Sequence, residues 1–122
     1  CKCSRMTDKI KRGFDGEELA MTFLKNKGYT ILEKNYRYKR SEIDLIVEKN
    51  NWLVFVEVKT RSSTSFGYPE EFVDERKVEK IIEGADQYIH ENNWHDNVRY
   101  DIISIVLGKG EPEIVHFEDA FY

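Results

Sequence analysis

The chain has 122 residues, of which 40% are apolar and 34% charged, enough for one domain with a core of its own. Its formal net charge of −4 argues against a protein that coats nucleic acid through bulk charge alone. No apolar run approaches the roughly 18 residues of a membrane span and no signal-peptide hydrophobic region opens the chain, so we expect no membrane and a cytoplasmic setting.

Cys1 and Cys3 are the two cysteines. No second Cys or His pair lies at a zinc-site spacing. Met6 reads as a natural start, and a lipid-bearing Cys1 is the lesser alternative. Residues 1–10 are expected as a flexible tail and 11–122 as a single domain.

The first periodic stretch runs from about Asp15 to Lys27, with Leu19, Ala20, Phe23 and Leu24 as a helical apolar stripe. Gly28 is placed to end that helix. Tyr29 to Tyr38 reads as a strand, Glu42 to Glu48 as a second and Trp52 to Thr60 as a third. Asn50-Asn51 suits a two-residue hairpin turn, because Asn tolerates positive φ. Residues 61–69 read as a loop. A second helix follows from about Pro69 or Glu70 to His90, with Val73, Val78, Ile81, Ile82, Ala85, Tyr88 and Ile89 on its buried face. Val98 to Leu107 is a fourth strand, Gly108-Lys109-Gly110 turns it, and Glu113 to Phe117 is a fifth. This order predicts an α/β fold with a central mixed sheet of about five strands flanked by helices.

The second and third strands carry the chemistry. A turn at Asn50-Asn51 pairs Lys49 with Trp52, which sets Asp44 opposite Glu57 and Glu42 opposite Lys59. Opposed residues share a face, as do residues two apart, so Asp44, Glu57 and Lys59 are expected to converge. Two carboxylates there can hold Mg²⁺ or Mn²⁺ through hard oxygens, with the Val58 carbonyl as a further ligand. Lys59 would position a water or stabilise phosphate charge. The plain alternative is a half-exposed strand whose polar residues face water. Glu17 lies on the first helix beside the Ala20–Leu24 stripe, as a third acid or as favourable charge near a helix N-terminus.

These residues also carry a resemblance. Gly16-Glu17 with Ala20, Gly28-Tyr29, Asn35-Tyr36-Arg37, Glu42-Ile43-Asp44-Leu45-Ile46 and Phe55-Val56-Glu57-Val58-Lys59-Thr60-Arg61 resemble the YraN-type endonuclease-like family. Phe66-Gly67, Lys77, Ala85 with Tyr88 and Arg99-Tyr100-Asp101 continue the match. That family resembles archaeal Holliday-junction resolvases within the PD-(D/E)xK superfamily. The resemblance implies a restriction-endonuclease-like three-layer fold and metal-dependent phosphodiester cleavage. It also implies Asp44 and Glu57 as metal ligands, Lys59 as the catalytic lysine and Glu17 as an accessory acid. Where that family usually has Gly, this chain has Ser41, which would narrow the approach of substrate.

Lys34, Arg37, Lys39 and Arg40, interleaved with Tyr36 and Tyr38, form a strip able to neutralise phosphates and stack on bases. Arg61 and Lys77 are further candidates for phosphate contact, and residues 62–68 for a substrate clamp. The strip's other reading is a strand edge guarded by charge. His90, His95 and His116 read as surface or structural, Trp52 and Trp94 as packing residues, and Arg99 with Asp101 as a structural ion pair. The expected function is DNA hydrolysis, with branched or single-stranded DNA among the candidate substrates. The alternatives are a non-catalytic nucleic-acid-binding module of the same fold and a protein-interaction domain. A homodimer would suit a symmetric junction.

Overall fold

The computed structural model describes residues 16–61, 75–107 and 112–120. The expected tail, the clamp at 62–68, the start of the second helix and the turn at Gly108–Gly110 lie outside them. Helix α1 is Gly16–Asn26, followed by strands β1 Thr30–Tyr38, β2 Ser41–Lys49 and β3 Trp52–Arg61. Helix α2 is Glu75–Glu91, followed by β4 Asn97–Val106 and β5 Glu113–Phe117. The strands form one sheet in chain order. β3 and β4 pair in parallel and the other neighbours antiparallel, so the sheet is mixed.

Each turn follows from its residues. Gly28 takes φ 98°, its N–H bonds the Lys25 carbonyl, and the Tyr29 N–H bonds the Leu24 carbonyl. That pairing is the Schellman stop, for which glycine is suited by its lack of Cβ. Asn50 and Asn51 both take positive φ, at 52° and 68°, and Lys49 pairs with Trp52 as the turn chemistry requires. Lys39, at φ 57°, turns β1 into β2.

The helices cover opposite faces. α1 packs Ala20 and Leu24 on Leu45, Val47, Val54, Val56, Ile103 and Ile105. α2 packs Ile81, Ala85 and Tyr88 on Ile43, Ile46, Phe55 and Tyr100. The result is a three-layer α/β fold, as expected. Glycines set both approaches. A Cβ on Gly16 would collide with the Thr60 hydroxyl, and one on Gly84 would lie 3.1 Å from Ser41 Cβ.

Helix α1 therefore presses its N-terminus onto β3 only because residue 16 is glycine. Gly16→Ala should cost about 1–3 kcal/mol, the range for forced overpacking, despite the better helix propensity of alanine. Thr60→Ala in the same chain should recover most of it by removing the hydroxyl. Urea melts of the two single variants and the double variant measure the coupling.

Candidate metal centre at a strand fork

β2 and β3 separate at one end. Their pairing runs from Lys49–Trp52 to Leu45–Val56 and stops. Beyond it, β2 pairs on through Ile43, Glu42 and Ser41 with β1, while β3 pairs on from Glu57 to Arg61 with β4. The expected hairpin register is therefore observed, but the pairs Asp44–Glu57 and Glu42–Lys59 do not form. Glu42 instead lies opposite Arg37, 3.6 Å away.

The cause lies in β1 and β2 together. Lys34 pairs with Leu45, and Tyr36 with Ile43. Leu45 packs on the α1 side, whereas Ile43 and Tyr36 pack on the α2 side. Residues two apart in a regular strand share a face, so alternation breaks between these pairs. At the break stand Asn35, with φ 57°, and Asp44. Freed from alternation, Asp44 reaches into the fork, and its Oδ2 accepts the Val58 N–H at 2.8 Å. In an extended strand the N–H and C=O of a residue leave by the same edge, so the Val58 carbonyl faces the fork too.

Glu57 is buried, at 5% exposure. Its Oε2 lies 3.1 Å from Lys77 Nζ and 3.4 Å from Lys59 Nζ. Asp44 is the electrostatic centre. Burial, then the Glu57 carboxylate, raise its pKa to about 7; the Val58 N–H opposes the rise, Glu17 adds to it, and Lys77 draws it back. Lys77 shows the complementary response. Burial works against its ammonium, but attraction and hydrogen bonding from Glu57, with help from Asp44 and Glu42, leave its pKa raised.

The structure thus brings together Asp44, Glu57, Lys59 and, through its field on Asp44, Glu17. Position on the sequence alone gave Lys77 a minor place, yet it makes the shorter contact to Glu57. The signal was available: Lys77 extends the buried stripe of Ile81, Gly84–Ala85 and Tyr88 one turn toward the helix start. Hard oxygens from Asp44, Glu57 and the Val58 carbonyl suit Mg²⁺ or Mn²⁺ in kind. Among the described residues, no three His, Cys, Asp or Glu side chains form a ready-made metal cluster, so waters or substrate oxygens would complete the shell.

The basic strip is distributed differently. Arg37 is 75% exposed and Arg40 is exposed. Lys39 lies over the Tyr38 ring, and Lys34 is paired with Glu18. Tyr36 belongs to α2: its ring meets Tyr88 edge-on, its hydroxyl donates to Glu91, and burial with Glu91 pushes its pKa up to about 12. Arg61 ends β3, and its side chain is outside what the structure describes. Ser41 turns inward beneath Gly84, with its hydroxyl buried and unpartnered.

On the α1 side, Asp101 is wholly buried. It accepts two hydrogen bonds from Arg99, one from His116 Nε2 and one from the Asp119 N–H. Lys27 Nζ stands 2.8 Å from His116 Nδ1, which fits a neutral ring donating to Asp101 and accepting from lysine. The Arg99–Asp101 pair is as expected, and His116 is structural. His90 and His95 are exposed. Trp94 packs in the α2-side core, but Trp52 is 38% exposed with Arg99 over its ring.

Fold and site define a three-layer α/β protein with paired carboxylates and two lysines gathered where its sheet divides. Residues 16–105 match the model of "Uncharacterised protein family UPF0102", and the chain belongs to that family. It is 46% identical over 107 residues to a UPF0102 protein of Flavobacterium psychrophilum, covering 88% of this chain and 90% of the relative. It is 47% identical over 116 residues to one of Alkaliphilus oremlandii, covering 91% and 97%. No helix among the described residues is long and apolar enough to cross a membrane.

Proposed function

We propose that the chain is a Mg²⁺- or Mn²⁺-dependent nuclease of the PD-(D/E)xK kind, acting on DNA. The observation that carries this reading is Asp44 and Glu57 at the fork. Burial and the Glu57 carboxylate raise the cost of ionising Asp44 there, beside two lysines in contact with Glu57. Such an arrangement costs stability and is understandable as a site held for a cation.

Asp44, Glu57 and the Val58 carbonyl would hold the ion. When bound, it supplies Lewis-acid polarisation of a phosphoryl oxygen and a more acidic water. Lys59 Nζ, held near Glu57, orients the attacking water and stabilises charge on the phosphate. Glu17 adds negative potential from α1. Arg37, Lys39 and Arg40, at the exposed end of the β1–β2 hairpin, supply phosphate contacts. A homodimer and a branched substrate belong to the same reading.

Incubation with single-stranded, duplex, flapped and four-way DNA in Mg²⁺ or Mn²⁺ tests it. Cleavage of at least one substrate is expected, reduced at least about a hundredfold by Glu57→Ala. No cleavage of any substrate, or an unaffected Glu57→Ala, would sink the proposal. The exposed cations of the β1–β2 hairpin support a second reading, a non-catalytic nucleic-acid-binding module; binding that persists in EDTA without cleavage would favour it.

A further inference from the structure

We propose that Lys77 is a second phosphate-contacting lysine of this site, held on Glu57 in the place a divalent cation would take. The inference rests on the metal-centre reading above. Two ammonium groups share one oxygen of Glu57, Lys77 at 3.1 Å and Lys59 at 3.4 Å. Lys59 alone would neutralise that carboxylate; Lys77 stands in the field of Asp44 and Glu42 as well, so it answers the acids of the whole fork.

A doubly charged ion between Asp44 and Glu57 would lie within a few ångströms of both ammonium groups. Coulomb repulsion at that distance is strong even in a partly wet site. Lys77 is the group positioned to leave. Its side chain is 44% exposed, against 21% for Lys59, and its ammonium sits on a flexible four-carbon stem.

The backbone beneath it stays in place. Gly84 lets α2 settle against Ser41 and Ile43, and Ile81, Ala85 and Tyr88 bury the helix on the sheet. A released Lys77 ammonium therefore remains tethered at the rim of the fork, where a phosphate on the site would present its non-bridging oxygens. Glu57 thus has one partner set without the ion and another with it. The lysine that neutralises the resting site becomes a cation for the substrate.

Calorimetric titration with Mn²⁺ alone, followed by binding of a labelled DNA duplex in Ca²⁺ across a salt series, tests this. Lys77→Met should bind Mn²⁺ about tenfold more tightly than wild type, because a competing charge is gone. Its DNA binding should weaken, with a salt slope smaller by about one. Lys77→Arg should restore the slope, with Mn²⁺ affinity no tighter than wild type. Unchanged or weaker Mn²⁺ binding by Lys77→Met, or an unchanged salt slope, would overturn the inference while leaving the metal centre standing. Failure of wild type to take up Mn²⁺ would remove the metal-centre reading and this inference with it.

Discussion

Asp44→Asn should melt higher than wild type at pH 8 in EDTA, while losing Mn²⁺ binding and cleavage. The Asp44 carboxyl titrates at about 7 in the fold against an ordinary value of 3.8. Burial and the neighbouring Glu57 are the main causes. A pKa raised by folding means that the fold prefers the protonated form. The associated stability is fully present below about pH 4 and is lost as pH rises through about 7. The gap corresponds to about 4 kcal/mol at most, and partial solvent access trims it.

Asparagine keeps an oxygen for the Val58 N–H and carries no charge. We therefore expect a gain of about 2 kcal/mol at pH 8, or about 6–10 °C, shrinking to nothing near pH 4. Saturating Mn²⁺ should then raise the melting temperature of wild type at pH 8 but not that of Asp44→Asn. A variant melting at or below wild type at pH 8 without metal would contradict the strain attributed to this carboxylate.

Asp101→Ala should have the opposite consequence. Burial alone would push the Asp101 carboxyl up, but the hydrogen bonds from His116, Arg99 and the Asp119 N–H outweigh it and hold the pKa below the ordinary range. Its stability is present above the unfolded value near 4 and is lost as pH falls through the depressed folded value. Removing it strands the Arg99 guanidinium, whose pKa is raised chiefly by the Asp101 hydrogen bond, and the His116 ring. Breaking such a pair costs about 3–5 kcal/mol, a large share of a typical domain's stability. A urea midpoint within experimental error of wild type at pH 7 would show that the cluster is dispensable. Together the two aspartates predict greatest metal-free stability in mildly acidic solution.

The hairpin was readable because one turn fixes everything beyond it. Asn50-Asn51 accept positive φ, Lys49 then meets Trp52, and counting outward leads to Asp44, Glu57 and Lys59. The same count implied two pairs that do not form, because alternation cannot foresee Asn35 entering the left-handed region inside a strand. Lys77 was readable only in part. Its place on the α2 stripe is periodic, but its contact with Glu57 depends on how closely Gly84 lets that helix approach β2. The Lys27–His116–Asp101 chain joins the turn after α1 to β5 and β4, and no local pattern announces it. Glu17 was legible as an acid beside a buried stripe; what α1 does with it depends on Gly16 meeting Thr60.

The sheet's neighbour order also bears on how the chain folds. β1, β2 and β3 join through two-residue turns, so their contacts close short loops at little entropic cost. The parallel pairing of β3 with β4 spans about 45 residues in register, Trp52 with Asn97 through Arg61 with Val106, and must enclose α2. A three-stranded meander is thus the cheapest nucleus, and β4 with β5 joins it late. Asp44 and Glu57 are delivered to their fork by the early part, whereas the Asp101 cluster is assembled by the late one. Damage at Asp101 should therefore appear mainly as faster unfolding, with the refolding rate little changed.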